Sequence, residues 1–331
     1  MLPFKVVYSD AYYLPIGDHV FPAEKYRLIH KFLLDHGFAE SSDFITPQPA
    51  TDRDALLVHG DNWIYKLQTG SLTARDELQM EIPFSEELVE AFFLNAGGSI
   101  LAAQRALEEG ICINLGGGFH HAFPDHGEGF CMINDIAIAI RRLQKDKKIL
   151  RAMTVDCDVH HGNGTAVIFA EQRPPIPVAA TSSPAFRITS GSDETASKPQ
   201  VFTISLHQLN NYPAWKPPSS IDVNLPDATN DDQYLGWLDK TLATAFSQFQ
   251  PELISYVAGA DPYMNDQLGG LALTIPGLKK RDEMVYRAAK GRHIPITVTL
   301  AGGYAQNLMD TVHIHANTVI AAKEVFGEGS S

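Results

Sequence analysis

Short apolar runs rich in β-branched and aromatic residues recur along the chain: VVY at 6–8, ICINL at 111–115, MTV at 153–155, VFTISL at 201–206, LISYV at 253–257 and ITVTL at 296–300. Runs of this length without alternation read as strands buried on both faces. Between them, residues 86–109, 135–148 and 232–250 place apolar residues at three- and four-residue spacing among Ala, Leu, Glu and Lys, which predicts helices. Strands alternating with helices imply a mainly parallel sheet covered by helices, an α/β fold. No Gly/Ser linker and no repeat divides the sequence, so residues 1–331 read as a single domain. The stretch 181–200 (TSSPAFRITSGSDETASKPQ) is small and polar, and reads as a long loop insertion: either a surface excursion or a lid over a site.

Composition narrows the function classes. Lys and Arg total 26 against 39 Asp and Glu, a formal charge of −13. Non-specific nucleic-acid binding needs a basic footprint, so direct nucleic-acid binding is not expected. An acidic surface can attract cationic substrates such as basic peptide tails or polyamines. The three cysteines include no CxxC pair, which argues against a disulfide framework and for a reducing compartment. No stretch reaches the roughly 20 apolar residues of a membrane span, and the N-terminus lacks a secretory pattern. The expected location is intracellular, cytoplasmic or, in a eukaryotic cell, nuclear.

Four groups of polar residues each follow a predicted strand, where open α/β sheets bind their ligands. In TVDCDVHHGNGT (154–165), alternation along extended chain would point Asp156, Asp158 and His160 one way. Two carboxylates and an imidazole suit a divalent cation, unless the Asp residues cap the next helix and His160 is a hydrogen-bonded core histidine. Asp261, in AGAD after LISYV, would be a third ligand or a helix N-cap. Three protein ligands would leave a position open, as catalytic metal sites do. The run NLGGGFHH (114–121) does not fit G-x-G-x-x-G, because position 121 is His121. Its tandem His120 and His121 suit a general base and acid. Tyr304, after Gly302 and Gly303, can project a hydroxyl into a cleft or be a half-buried aromatic. No HExxH, GxSxG or P-loop is present.

The stretches GGGFHHAFPDHGEGFCMINDIAIA, VDCDVHHGNGTAVIF, FTISLH, AGADPYMNDQLGGLALT and LAGGY resemble histone deacetylases over nearly the whole chain. The segment AGADPYMNDQLGGLALTIPGLKKRDEMVYRAA, with Asn163, is most similar to the class IV branch and its bacterial relatives. The resemblance implies an arginase/deacetylase-like fold with a central, mainly parallel sheet of about eight strands and helices on both faces, as doubly wound sheets have. It implies a zinc-dependent amidohydrolase that removes an acetyl or acyl group from a lysine side chain of a histone or other protein. Asp158, His160 and Asp261 match the metal ligands, His120 and His121 the catalytic pair, and Tyr304 the tyrosine that stabilises the oxyanion. Asp156 matches the partner of His120, and Asn163 the partner of His121, where many members carry Asp. Phe130 and Tyr212 match the aromatic walls of the lysine tunnel, with Gly129 beside it. Asp156, Asp158, His160, Ser205 and Leu206 match a structural potassium site. Asp76 is a candidate for the rim residue that grips the substrate backbone.

The O/N donor set also tolerates Fe2+ or Co2+. Hydroxamate-type inhibitors are expected to bind. Acetylpolyamines, other small acylamines and longer acyl-lysines are alternative substrates. A non-catalytic binding module of the same fold would be expected to lose a metal ligand or Tyr304, and all are present. A two-metal ureohydrolase would need a second set of acidic ligands, which the sequence does not offer.

Overall fold

The computed structural model describes residues 1–174, 185–191 and 198–327. In chain order, β1 (Val6–Val7), α1 (Lys25–Asp35), β2 (Phe44–Ile45) and three short helices, α2 (Asp52–Ala55), α3 (Asp61–Thr69) and α4 (Ala74–Met80), precede the long α5 (Glu86–Glu109). Then come β3 (Ile111–Asn114), α6 (Asp135–Lys145), β4 (Arg151–Asp156), α7 (Asn163–Ile168), β5 (Phe186–Ile188), β6 (Gln200–Gln208) and β7 (Ile221–Leu225). The chain closes with α8 (Asp231–Gln248), β8 (Leu253–Val257), α9 (Ile275–Lys290), β9 (Ile296–Thr299) and α10 (Leu308–Gly327).

The helices begin and end where local chemistry dictates. Ser85 caps α5 by accepting from the Leu88 amide. Gly110, at φ 86°, ends it and feeds directly into β3. Asn134 caps α6 through the Ala137 amide.

One nine-stranded sheet, in the order β2-β1-β3-β9-β8-β4-β6-β7-β5, forms the centre. Every pairing is parallel except β5 with β7. Strands β3, β6, β8 and β9 are buried at every position, so both sheet faces are covered. One helical layer joins α5 to α6, with α5 lying on β1, β3 and β9. The other runs α1, α10, α9, α8. The single-domain α/β expectation holds, with nine strands in place of about eight.

The extra strand lies where polar composition predicts a loop. Within 181–200, β5 pairs antiparallel with β7 at the sheet edge. Phe186 is buried and stacks on Trp237, while Arg187 turns outward and binds Asp222 Oδ2 at 2.6 Å. One buried side chain and one ion pair seat an edge strand that leaves little hydrophobic trace in the sequence. The rest of the expected insertion, 181–184 and 192–197, lies outside the described residues.

Candidate active site

The four strands that precede the polar groups, β3, β9, β8 and β4, are consecutive neighbours in the sheet. Their carboxyl ends therefore bring together His120 and His121 after β3, Tyr304 after β9, Asp261 after β8, and Asp158 and His160 after β4.

Asp158 Oδ1 and Asp261 Oδ2 lie 3.0 and 3.2 Å from His160 Nδ1. The three donor atoms all fall within 4.8 Å of one another. Backbone amides aim both carboxylates: Gly302 N–H donates to Asp158 Oδ2 at 3.0 Å, and Val159 N–H to Asp261 Oδ1 at 2.8 Å. Gly302 is required here, since a Cβ would come within 2.2 Å of Asp261 Oδ2. Asp261 Oδ2 itself is buried and accepts no hydrogen bond. Burial and the neighbouring Asp158 push the Asp261 carboxyl up, while His120 and His160 overcome burial to hold Asp158 low. An orphaned carboxylate oxygen facing a second carboxylate and an imidazole is a donor set short of positive charge, which fits a bound cation. No helix starts at Asp261, so it is not an N-cap. From behind, the buried Arg281 donates to the carbonyls of Cys157 (3.2 Å) and Gly259 (2.6 Å), tying the two ligand-bearing loops together.

The histidine pair sits beside this set. His120 Nδ1 is 2.7 Å from Asp156 Oδ2, the two Nε2 atoms are 3.0 Å apart, and His121 Nδ1 is 2.7 Å from Asn163 Oδ1. Burial works against charge on His120, but Asp156 and Asp158 outweigh it and push its pKa up to about 9. Burial, then His120 and His160, hold His121 well below the ordinary histidine value. The two adjacent rings thus differ in charge preference, His120 toward the protonated form and His121 toward the neutral one. Asp135 shapes the turn that presents them, accepting from the Gly118 and Phe119 amides and the Ser99 hydroxyl.

Tyr304 packs with Phe130, His160 and Phe21 at centroid distances of 6.0, 6.3 and 6.1 Å. A cavity of about 160 Å3 leads to it, lined by Phe130, Tyr212, Gly129, Leu268 and, at the exposed end, Glu81. Gly129 has φ 51°, and a Cβ there would sit 2.9 Å from both the His121 and Tyr212 rings. A smaller chamber beyond is lined by Phe21, Gly118, Ala301 and Gly302. A larger cavity among the described residues, about 780 Å3, shares no lining residue with these two.

Asp156 faces Ser205 in the β4–β6 register, with Leu206 next along the strand, so three of the five expected potassium residues lie together. Asp76, by contrast, is no rim residue. It closes the capping box of α4 with Thr73, and its Oδ2 also holds Lys66 Nζ at 2.8 Å. A second group of side chains with metal-ligand chemistry, His161, His207 and Asp222, exists among the described residues. Hydrogen bonds and Arg187 already engage it, through His161 Nε2 on Asp222 at 3.0 Å and His207 between Ser205 and Asn224.

Three polar residues of the site escape sequence reasoning. Lys25, fully buried, donates to the Ala301 carbonyl and lies 4.7 Å from the centre of the Phe21 ring. Burial pushes its pKa down to about 8 against the pull of Asp261 and Asp158. Asp266 accepts from the Tyr304 amide at 2.7 Å and from Leu268 and Gly269, fixing one side of the tunnel. Glu128 bonds both Asn163 and Tyr212. Its only trace in the sequence is an acidic residue two places before Phe130.

The nine-stranded sheet with this donor cluster at the carboxyl ends of its central strands is an α/β architecture of the deacetylase type. The chain belongs to the histone deacetylase family: the histone deacetylase domain matches residues 19–319. It is similar to an uncharacterized protein of Picosynechococcus sp., at 37% identity over 98% of this chain and 99% of that one. It is also similar to Histone deacetylase 2 of Arabidopsis thaliana, at 31% identity over 91% of this chain and 75% of that one. A crystal structure of an HDAC homolog complexed with SAHA shares the fold, with TM-score 0.76 and 24% identity over 98% of this chain and 84% of that one. The family is one of hydrolytic deacetylases. Among the described residues no helix is long and apolar enough to cross a membrane.

Proposed function

We propose that the chain is a zinc-dependent deacylase that hydrolyses the amide of an acylated lysine side chain. The observation that carries this reading is the closed end of an aromatic tunnel where Asp158, His160 and Asp261 meet the His120–His121 pair and Tyr304. Asp158, His160 and Asp261 would hold Zn2+, with Fe2+ or Co2+ as substitutes, and the bound cation supplies Lewis-acid polarisation of the amide carbonyl and acidifies water. Asp156, Asp158, His160, Ser205 and Leu206 form the set that would take structural potassium.

The chain's own groups do the rest. His121, neutral, accepts a proton at Nε2 from the attacking water, whose oxygen bonds the carbonyl carbon. The Tyr304 hydroxyl donates to the carbonyl oxygen as negative charge builds there. The C–N bond then breaks, His120 gives its Nε2 proton to the departing nitrogen, and a free amine results with a carboxylic acid, which releases its remaining proton to solvent as the carboxylate forms. Phe130 and Tyr212 align the aliphatic stem and exclude water.

A second reading, an acylated polyamine as substrate, is favoured by Glu81 at the tunnel mouth, whose carboxylate would meet a distal ammonium. A panel of acyl-lysine peptides, acetylpolyamines and longer acyl-lysines separates the two. Asp158→Ala, His160→Ala and Asp261→Ala should each abolish turnover and lower bound metal, measured by elemental analysis. A hydroxamate should compete with substrate. Full metal content and turnover in any of the three variants would overturn the ligand assignment.

A further inference from the structure

Glu128 stands two residues before Phe130, on the turn that walls the tunnel, with its side chain 18% exposed. Its Oε1 accepts from Asn163 Nδ2 at 2.6 Å and from the Tyr212 hydroxyl at 2.9 Å. Its Oε2 faces His126 Nε2 at 3.5 Å. Burial alone would raise its pKa, but His126, Asn163, Tyr212 and Gln79 together hold it below the usual glutamate range, so it is ionised.

A carboxylate only accepts hydrogen bonds. The Asn163 amide therefore has a single orientation, with its NH2 toward Glu128 and its oxygen toward His121. That oxygen also only accepts, so His121 Nδ1 must carry a hydrogen and donate it at 2.7 Å. The lone pair of a neutral His121 is thereby left on Nε2, which lies 3.0 Å from His120 Nε2. Without Glu128 the amide could turn over, and an NH2 group facing Nδ1 would select the opposite tautomer, with the hydrogen on the wrong nitrogen.

We propose that Glu128 is a positioning residue for His121, acting through Asn163. The Glu128–Asn163 pair does the work of a carboxylate placed directly on the imidazole: it fixes ring and tautomer, while the amide between them keeps the full charge one group away. The same carboxylate ties Tyr212 to this chain of bonds, coupling the tunnel wall to the base.

This inference rests on the deacylase reading, with His121 as base, and a charge-relocation cycle tests it in the metal-loaded, full-length enzyme with an acetyl-lysine peptide. Glu128→Ala should lower kcat by about tenfold or more, the loss expected for one hydrogen bond to a charged group. Asn163→Asp alone should also lower kcat, because two carboxylates then face each other. Glu128→Gln/Asn163→Asp should be more active than Asn163→Asp and than Glu128→Ala, since the glutamine can donate to the aspartate and the aspartate can accept from His121. Losses that simply add, with metal content and Tm unchanged, would overturn the proposal. A second readout does not depend on turnover. Nitrogen NMR of labelled histidine should show His121 as the Nδ1–H tautomer in the wild type and a changed tautomer balance in Glu128→Ala. An unchanged tautomer would reject the role of Glu128. Wild type that binds metal, shows the expected tautomers and hydrolyses no acyl amine would instead reject the deacylase reading.

Discussion

Tyr304 owes its position to neighbours rather than to its strand. Asp266 holds its amide, Phe130 and Phe21 hold its ring, and Gly303, at φ 148°, lets the chain turn into the cavity. Tyr304→Phe removes only the hydroxyl, so fold and metal content should survive while kcat falls by about 10²–10³, the usual loss of one oxyanion donor. Steady-state kinetics at matched metal loading measures this, and a near-normal kcat would place the hydroxyl outside the reaction. The residues that follow strands could be read from the sequence, because the rule that places ligands at strand ends acts on local order. Lys25 and Glu128 could not. Lys25 meets Ala301 across 276 positions and Glu128 meets Tyr212 across 84, and no local pattern encodes such contacts. Asp76 failed in the opposite direction: an acidic residue in a suitable region was already committed to a helix cap.

Among the elements, three helices and six strands were legible, while α1, α9 and the 20-residue α10 were not read. The helix read at 86–109 is α5, and those read at 135–148 and 232–250 are α6 and α8, each shorter or shifted by a few residues at its end. All six apolar runs are strands. The strands that escaped have physical reasons: β2 has two residues, β5 is an edge strand in polar chain, and β7 (IDVNL) carries a buried aspartate that answers Arg187. Another connection invisible in the sequence pins the loop that bears the histidine pair. His59 Nδ1 lies 2.8 Å from the Phe123 carbonyl, and its Nε2 accepts from the Asn134 amide at 3.0 Å. Burial pushes the His59 pKa down to about 4. Unfolded, this ring takes a proton near the ordinary value of about 6.5. Between those values the unfolded chain binds more protons, so the contribution of His59 is fully present above pH ~6.5 and is lost as pH falls toward 4. The loss should approach about 3 kcal/mol. Urea unfolding across this window should show a shallower acid loss for His59→Gln than for the wild type. Equal slopes would remove His59 from the acid response.

For the whole molecule, sheet order and charge act together. Four adjacent strand ends gather the candidate site at the carboxyl side of the sheet, and among the described residues a tunnel leads to it whose mouth carries Glu81, with Glu128 just to its side. Behind that mouth stands a chain of formal charge −13. A basic substrate would be drawn by this net charge and then met by a local carboxylate, whereas an uncharged acylamine would feel neither. Exposed charges act over about 30 Å at 0.01 M salt and only about 10 Å at 0.1 M. For an acetyl-lysine peptide flanked by Lys and Arg, kcat/KM should thus fall by about tenfold or more over that range, at the lower end of known steering effects. A peptide with neutral flanks should change little. Glu81→Gln should flatten the salt dependence of the basic peptide in part, since the remaining surface still attracts it, and should leave the neutral peptide as it was. Stopped-flow or initial-rate measurements at constant pH and metal loading decide the matter. Parallel salt slopes for both peptides would mean that the acidic surface plays no part in bringing substrate to the tunnel.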